Sequence, residues 1–159
     1  MPGLPAPSPP LARLLGLALA ELTARLRERL AAAGFDDQRP AHDAVFAHLP
    51  PGGLTLSGLA ERAGMTKQAM SELVVDLEAK GYLLRRPDPA DRRVRVIEFT
   101  PRGWAAVEVA LAAFADLERE LGERLGPDRL TALRATLTDI VPDGEARRAT
   151  TSPGRIVRS

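Results

Sequence analysis

The chain has 159 residues, 45% hydrophobic and 27% charged, enough to bury a core as one domain with tails. It has no cysteine, which excludes a disulfide framework, a thiolate zinc site and a cysteine redox switch. Aromatics at 4% argue against a base-stacking surface, and a net charge of only +1 means that any site for a polyanion must be local.

Residues 1–10, MPGLPAPSPP, hold five prolines and read as a disordered lead-in. From Leu11 the apolar positions run Leu11, Leu15, Ala18, Leu22, Leu26, Leu30, which is helical spacing over 11–33 with a stop at Gly34. The run LARLLGLALA has the look of a signal peptide. The first ten residues carry no Lys or Arg, Arg13 interrupts it and the pattern continues past Glu21, so it is read as part of the helix. No stretch approaches the roughly 20 apolar residues of a membrane span.

A shorter helix is expected at about 41–49, ended by Pro50-Pro51-Gly52-Gly53. The next, 57–63, closes at Gly64. Thr66 then caps a longer helix, 67–80, ended by Gly81. Helix, tight Gly-containing turn, helix is the outline of a helix-turn-helix. After Gly81 the period changes. YLLRR and RVRVIEF are strand-like, and PDPAD between them is turn chemistry, so a β-hairpin follows the second helix. That pairing is a winged helix. Its tip gathers Arg85, Arg86, Arg92, Arg93 and Arg95, five arginines against Asp88 and Asp91.

Thr100-Pro101 is a helix start, with a good cap followed by Pro at the first helical position. That helix runs to about 125 with Val107, Leu111, Phe114, Leu117 and Leu121 on its apolar stripe. A last helix covers 127–141 and stops at Pro142; 142–159 reads as a disordered tail. The fold expected is mainly α with a small β-hairpin wing: a winged helix-turn-helix over 36–100, flanked by dimerisation helices at 11–35 and 101–141. The apolar stripes of the flanking helices exceed what one small domain covers. A homodimer is inferred, with a single-chain helical bundle as the alternative.

On helix 67–80, Met70, Leu73, Val74 and Leu77 share the face expected to pack inward. Gln68, Ser71, Glu72 and Val75 lie opposite, with Lys67 at the edge. In a helix-turn-helix the N-terminal half of the second helix enters the major groove. Gln68 suits a bidentate pair with adenine, Ser71 bonds several base edges and Val75 suits a thymine methyl. Thr66 and the helix N-terminus suit a phosphate. Glu72 is awkward there: it must either accept from a cytosine amine or pair with a neighbouring Arg. The only histidines, His42 and His48, do not share a face well enough for a metal, and no Cys, Asp or Glu cluster joins them. No Ser-His-Asp set, P-loop or Gly-rich phosphate cradle is present, so neither an enzyme nor a cofactor or metal is expected.

These pieces together resemble the MarR family of bacterial transcription regulators. LTLSGLAERAGMTKQAMSELVVDLEAKGYLLR looks like the family's helix-turn-helix. DPADRRVRVIEFTPRG resembles its wing signature, through Asp91, Arg93, Phe99, Thr100 and Gly103. LGERLGPDRLTALRATL looks like its closing helix pair. Phe99 stands where the family usually has Leu. Gly58 stands where a Glu is common, which removes a capping box and suggests a frayed short helix. The resemblance implies that Arg93 reaches the minor groove, whose negative potential suits a guanidinium. Asp91 would hold Arg93 and fix the turn, and Arg85, Arg86, Arg92 and Arg95 would meet phosphates. It also implies a cleft for a small, often aromatic effector between the winged helix and the dimer helices, with His42, Phe46 and Trp104 as candidates by position. The function expected is a cytoplasmic, homodimeric repressor of a pseudo-palindromic double-stranded operator, released by a small molecule. A winged helix used for protein contact is the alternative.

Overall fold

The computed structural model describes residues 9–141; most of the expected lead-in and the whole of the expected tail, 142–159, lie outside the described residues. The elements are α1 (Leu11–Ala32), a 3-10 turn (Pro40–His42), α2 (Asp43–His48), β1 (Leu54–Thr55), α3 (Leu56–Arg62), α4 (Lys67–Ala79), β2 (Leu83–Pro87), β3 (Arg95–Phe99), α5 (Pro101–Leu125) and α6 (Pro127–Ile140). None of these helices is long and apolar enough to cross a membrane.

The helix stops are local chemistry. Gly64 (φ +63°) and Gly81 (φ +76°) end α3 and α4 in the left-handed conformation that glycine adopts without strain. Thr66 caps α4 by accepting from Ala69 N at 3.2 Å, and Thr100 caps α5 by accepting from Gly103 N at 3.0 Å.

Two expectations change. The helix expected at 41–49 is a 3-10 turn followed by a shorter α2, because Pro40 opens it and Leu49 is already extended. The wing gains a third strand. β1 pairs antiparallel with β3 (Leu54 opposite Ile97), and β3 pairs with β2 (Leu83 opposite Phe99, Arg85 opposite Ile97), in the order β1-β3-β2. Thr55 ends β1 and caps α3 at once, accepting from Gly58 N at 3.2 Å. A Cβ on residue 58 would lie 3.1 Å from Leu54 Cγ, so the glycine makes room for the strand's leucine. α3 thus has its Thr cap without the reciprocal Glu.

The core lies inside the winged helix. Val45, Leu59, Met70, Val74, Leu77, Tyr82, Ile97 and Ala106 are all but completely buried, joining α2, α3, α4, the sheet and the start of α5. On β3 buried Ile97 and Phe99 alternate with half-buried Val96 and Glu98, which sends one face of the sheet inward, and Arg95, on that same face nearer the tip, is exposed to solvent. α1 crosses α5 through buried Leu30, Ala113 and Leu117, flanked by ion pairs of Arg25 and Arg29 with Glu120. Beyond that crossing, Leu11, Leu14, Leu15, Leu17 and Leu19 of α1 are exposed, as are Phe114 of α5 and Leu133, Leu137 and Ile140 of α6. No residue of α6 is buried.

Candidate nucleic-acid interface

α4 is set by its inner face. Met70, Leu73, Val74 and Leu77 are buried, so the 3.6-residue period turns the opposite face to solvent. Thr66, Lys67, Gln68, Glu72 and Val75 are exposed and Ser71 is half-buried. Val75 is 54% exposed, an apolar side chain in the middle of a polar face.

The acidic residues of α4 differ from one another. Asp76 Oδ2 lies 2.6 Å from Arg39 Nη2 and 2.8 Å from Lys80 Nζ. Hydrogen bonds from Lys80 and then Arg39 hold this carboxyl down to about 2. Glu78 lies 3.1 Å from Arg85 Nε, which ties β2 to α4. Glu72 has no ion pair and no hydrogen-bonded side chain among the described residues.

The wing tip is shaped by two aspartates acting on backbone. Asp88 Oδ1 accepts from Ala90 N at 2.7 Å, and Asp91 Oδ1 accepts from Arg93 N at 2.9 Å. Asp91 thus accepts from the backbone of Arg93, and no ion pair joins it to the Arg93 guanidinium among the described residues. Arg92, Arg93 and Arg95 are exposed and have no ion pair among the described residues. Arg85 and Arg86 differ. Arg85 is bound by Glu78, and Arg86 Nε lies 3.6 Å from Glu98, its neighbour across the strand pair. The sequence groups all five; the tertiary pairing divides them into two held by glutamates and three without an ion pair among the described residues.

His42, Phe46 and Trp104 lie in or against the core of the winged helix. His42 is fully buried: its Nδ1 accepts from Arg39 N at 3.0 Å, and its Nε2 is 2.8 Å from Asp76 Oδ2 without the alignment of a hydrogen bond. Burial, with Lys80 nearby, lowers its pKa from the ordinary value, so the ring is neutral near pH 7. Phe46 stacks on Phe99 at 5.5 Å between centroids, and Trp104 meets the same ring edge-on at 5.0 Å. All three are packing residues here. A small cleft of about 170 Å³ opens nearby, between α1, the following loop and α2, lined by Leu26, Arg27, Leu30, Phe35, Gln38 and Asp43. Arg27 Nη2 is 2.7 Å from Asp43 Oδ2, and burial raises the Asp43 carboxyl above its ordinary range in spite of it. Nothing in the spacing of these residues marked them, because two helices and a loop must meet to form the cleft. Among the described residues no group of three or more His, Cys, Asp or Glu is placed to hold a metal.

Tyr82, Asp37 and Arg102 form a further polar group behind the wing. The Tyr82 hydroxyl donates to Asp37, and Arg102 Nη2 reaches the Tyr82 oxygen at 3.1 Å and both Asp37 oxygens at 3.3 Å. Its guanidinium lies 4.7 Å from the Tyr82 ring centroid. The loop after α1, the entry to β2 and the first turn of α5 are thereby tied at one point.

Residues 44–94 match the sequence profile of the MarR family. The fold is that of MarR from E. coli, at 24% identity and a TM-score of 0.69, covering 86% of this chain and 100% of that one. The regulator Tm0710 of Thermotoga maritima matches at 25% identity and 0.57, over 90% and 98%. MepR of S. aureus, in a structure bound to ethidium bromide, matches at 25% and 0.57, over 82% and 94%. A curated protein, the riboflavin kinase of Thermoplasma acidophilum, is 35% identical over 68 residues, 43% of this chain. The chain spans only 28% of that relative's length. The family profile lies across the helix-turn-helix and the first strand and tip of the wing, and the flanking helices follow the family fold, so the chain is similar to the MarR family in this segment and shares its winged helix-turn-helix fold.

Proposed function

We propose that this regulator is a homodimeric repressor that binds a pseudo-palindromic duplex and is released by a small, aromatic effector. The observation that carries the DNA contact is the tip of the wing: Arg92, Arg93 and Arg95 are exposed and have no ion pair among the described residues, beside an exposed α4 face. In this reading α4 enters the major groove, Gln68 and Val75 meet adenine and thymine edges, and Thr66 with the helix N-terminus meets a phosphate. Arg93 enters the adjacent minor groove, and Arg92 and Arg95 meet phosphates. Arg85 and Arg86 meet phosphates only by exchanging their glutamate partners.

The second copy is supported by the exposed leucines of α1 and α6, an apolar surface too extensive to leave in water. Two recognition helices would then stand about 34 Å apart, one DNA turn. The effector is supported by MepR bound to ethidium and by the cleft between α1 and α2. Its place is that cleft rather than a site built on His42, Phe46 and Trp104. A regulator of DNA acts in the compartment that holds DNA, the cytoplasm of a bacterium. The kinase match spans too little of that enzyme to support a catalytic role.

The test is binding to the chain's own upstream DNA against a scrambled duplex, for wild type and Arg93→Ala over a salt series. With six or more phosphates engaged by the dimer, affinity should fall by roughly a thousandfold between 50 and 200 mM salt. Arg93→Ala should bind more weakly and with a shallower slope. Failure of wild type to bind any duplex at low salt leaves the wing as a protein-contact surface and refutes the proposal.

A further inference from the structure

We propose that Glu72 makes this regulator select cytosine at one position of each operator half-site, by accepting a hydrogen bond from the exocyclic N4 amine. The inference rests on the reading that α4 enters the major groove, and it assigns a base to a residue of that face.

Three carboxylates lie on α4, and two are neutralised. Asp76 is held by Arg39 and Lys80, and Glu78 by Arg85. Glu72 has no such partner among the described residues. It is also the most centrally placed of the three on the solvent face. At about 100° per residue, Gln68, Glu72, Val75 and Ala79 form one stripe opposite Met70, Val74 and Leu77, and all four are exposed. The single uncompensated negative charge of α4 therefore stands at the centre of the surface offered to a polyanion. Lys67 is the nearest cation in sequence, but it lies on the helix flank.

A carboxylate only accepts hydrogen bonds. In the major groove guanine offers N7 and O6 and thymine offers O4, all acceptors that repel it. Adenine offers an amine with the N7 acceptor beside it, so one carboxylate oxygen is attracted and the other repelled. Cytosine offers its amine alone. Glu72 is thus satisfied at cytosine and penalised at the other three bases. The overall affinity it forfeits by facing phosphates is matched by discrimination at that base pair.

The experiment is selection from a randomised duplex pool by the full chain, comparing wild type, Glu72→Gln, Glu72→Ala and Gln68→Ala. Thermal melting confirms that the variants of these exposed positions remain folded. Wild type is expected to select a cytosine at one symmetry-related position, with about tenfold or greater loss on its replacement. Glu72→Gln, whose amide both donates and accepts, should relax that position alone and bind unrelated duplex more tightly. Gln68→Ala should change a different position and keep the cytosine. If both Glu72 variants keep every wild-type base preference while affinity changes uniformly, Glu72 is merely a repulsive charge and the proposal falls. If wild type selects no sequence at all, the major-groove reading itself fails, and this inference with it.

Discussion

Gly103 to alanine is the sharpest test of how the wing is joined to α5. A Cβ at this position would lie 2.2 Å from the Tyr82 carbonyl oxygen and 3.0 Å from Phe99 Cδ1, where ordinary contact begins near 3.4 Å. The first turn of α5 and the entry to β2 must then separate by more than an ångström, backbone against backbone. That same carbonyl accepts from Thr100 N at 3.0 Å and from Thr100 Oγ1 at 3.1 Å, so both bonds are at risk. Overpacking costs about 1–3 kcal/mol. Two weakened hydrogen bonds add about 0.5–1.5 kcal/mol each. The sum, about 2–6 kcal/mol, is a large part of a typical total of about 5–15 kcal/mol. Gly122 in the same helix is the control. Its added methyl would meet only Leu130 Cδ2 at 3.6 Å, so alanine there should gain the helix-propensity difference of about 0.5–1 kcal/mol. Urea unfolding followed by Trp104 fluorescence, at one fixed protein concentration so that the proposed self-association cannot shift the comparison, reads both. For a slope of about 1–3 kcal/mol/M, Gly103→Ala should lower the midpoint by about 0.7 M or more, and Gly122→Ala should leave or raise it. Equal midpoints for the two variants would refute the close approach at Gly103.

Asp76 binds protons less readily in the folded chain than in the unfolded one, because Lys80 and Arg39 hold it down to about 2 from 3.8. Its contribution is complete above pH 4 and lost as pH falls through about 2, so Asp76→Asn should flatten the acid limb of stability measured by urea midpoint. Buried His42 is also depressed, so the unfolded chain takes up that proton first below 6.5; wild type should lose stability there and His42→Asn should lose less. Asp37→Ala leaves the Tyr82 hydroxyl without its carboxylate and should cost about 1–3 kcal/mol in the same assay, against about 1 kcal/mol for Tyr82→Phe. Charging the exposed stripe of α6 with Leu133→Glu and Leu137→Glu should give a monomer by light scattering, and an unchanged mass would mean that this face pairs with nothing.

Much of the fold was legible because its signals are local. Thr66 and Thr100 announce helix starts, Gly64 and Gly81 announce helix ends, and the spacing of Met70, Leu73, Val74 and Leu77 states which face of α4 turns inward. The switch to strand-like residues after Gly81 and the aspartates of the tip likewise act over a few residues. The wing and the solvent face of α4 could therefore be read from order and period alone. β1 could not: two residues carry no period, and Leu54 becomes a strand only because Ile97 is opposite it.

The charges show the same division more sharply. Five arginines near the hairpin were visible as a cluster, but their availability depends on partners brought from elsewhere: Glu78 on α4 takes Arg85, and Glu98 on β3 takes Arg86. Three carboxylates on α4 were equally visible, yet Asp76 is neutralised by Arg39, 37 residues away, while Glu72 has no ion pair among the described residues. His42 stood out in the sequence only as a cleft candidate by position, and its enclosure against Asp76 comes from the packed chain. Periodicity and turn chemistry decide where an element lies and which side faces inward, since both act between near neighbours. Which charges cancel, which side chains are sealed from water and where a cleft opens are set when distant segments meet, and those are properties of the packed chain.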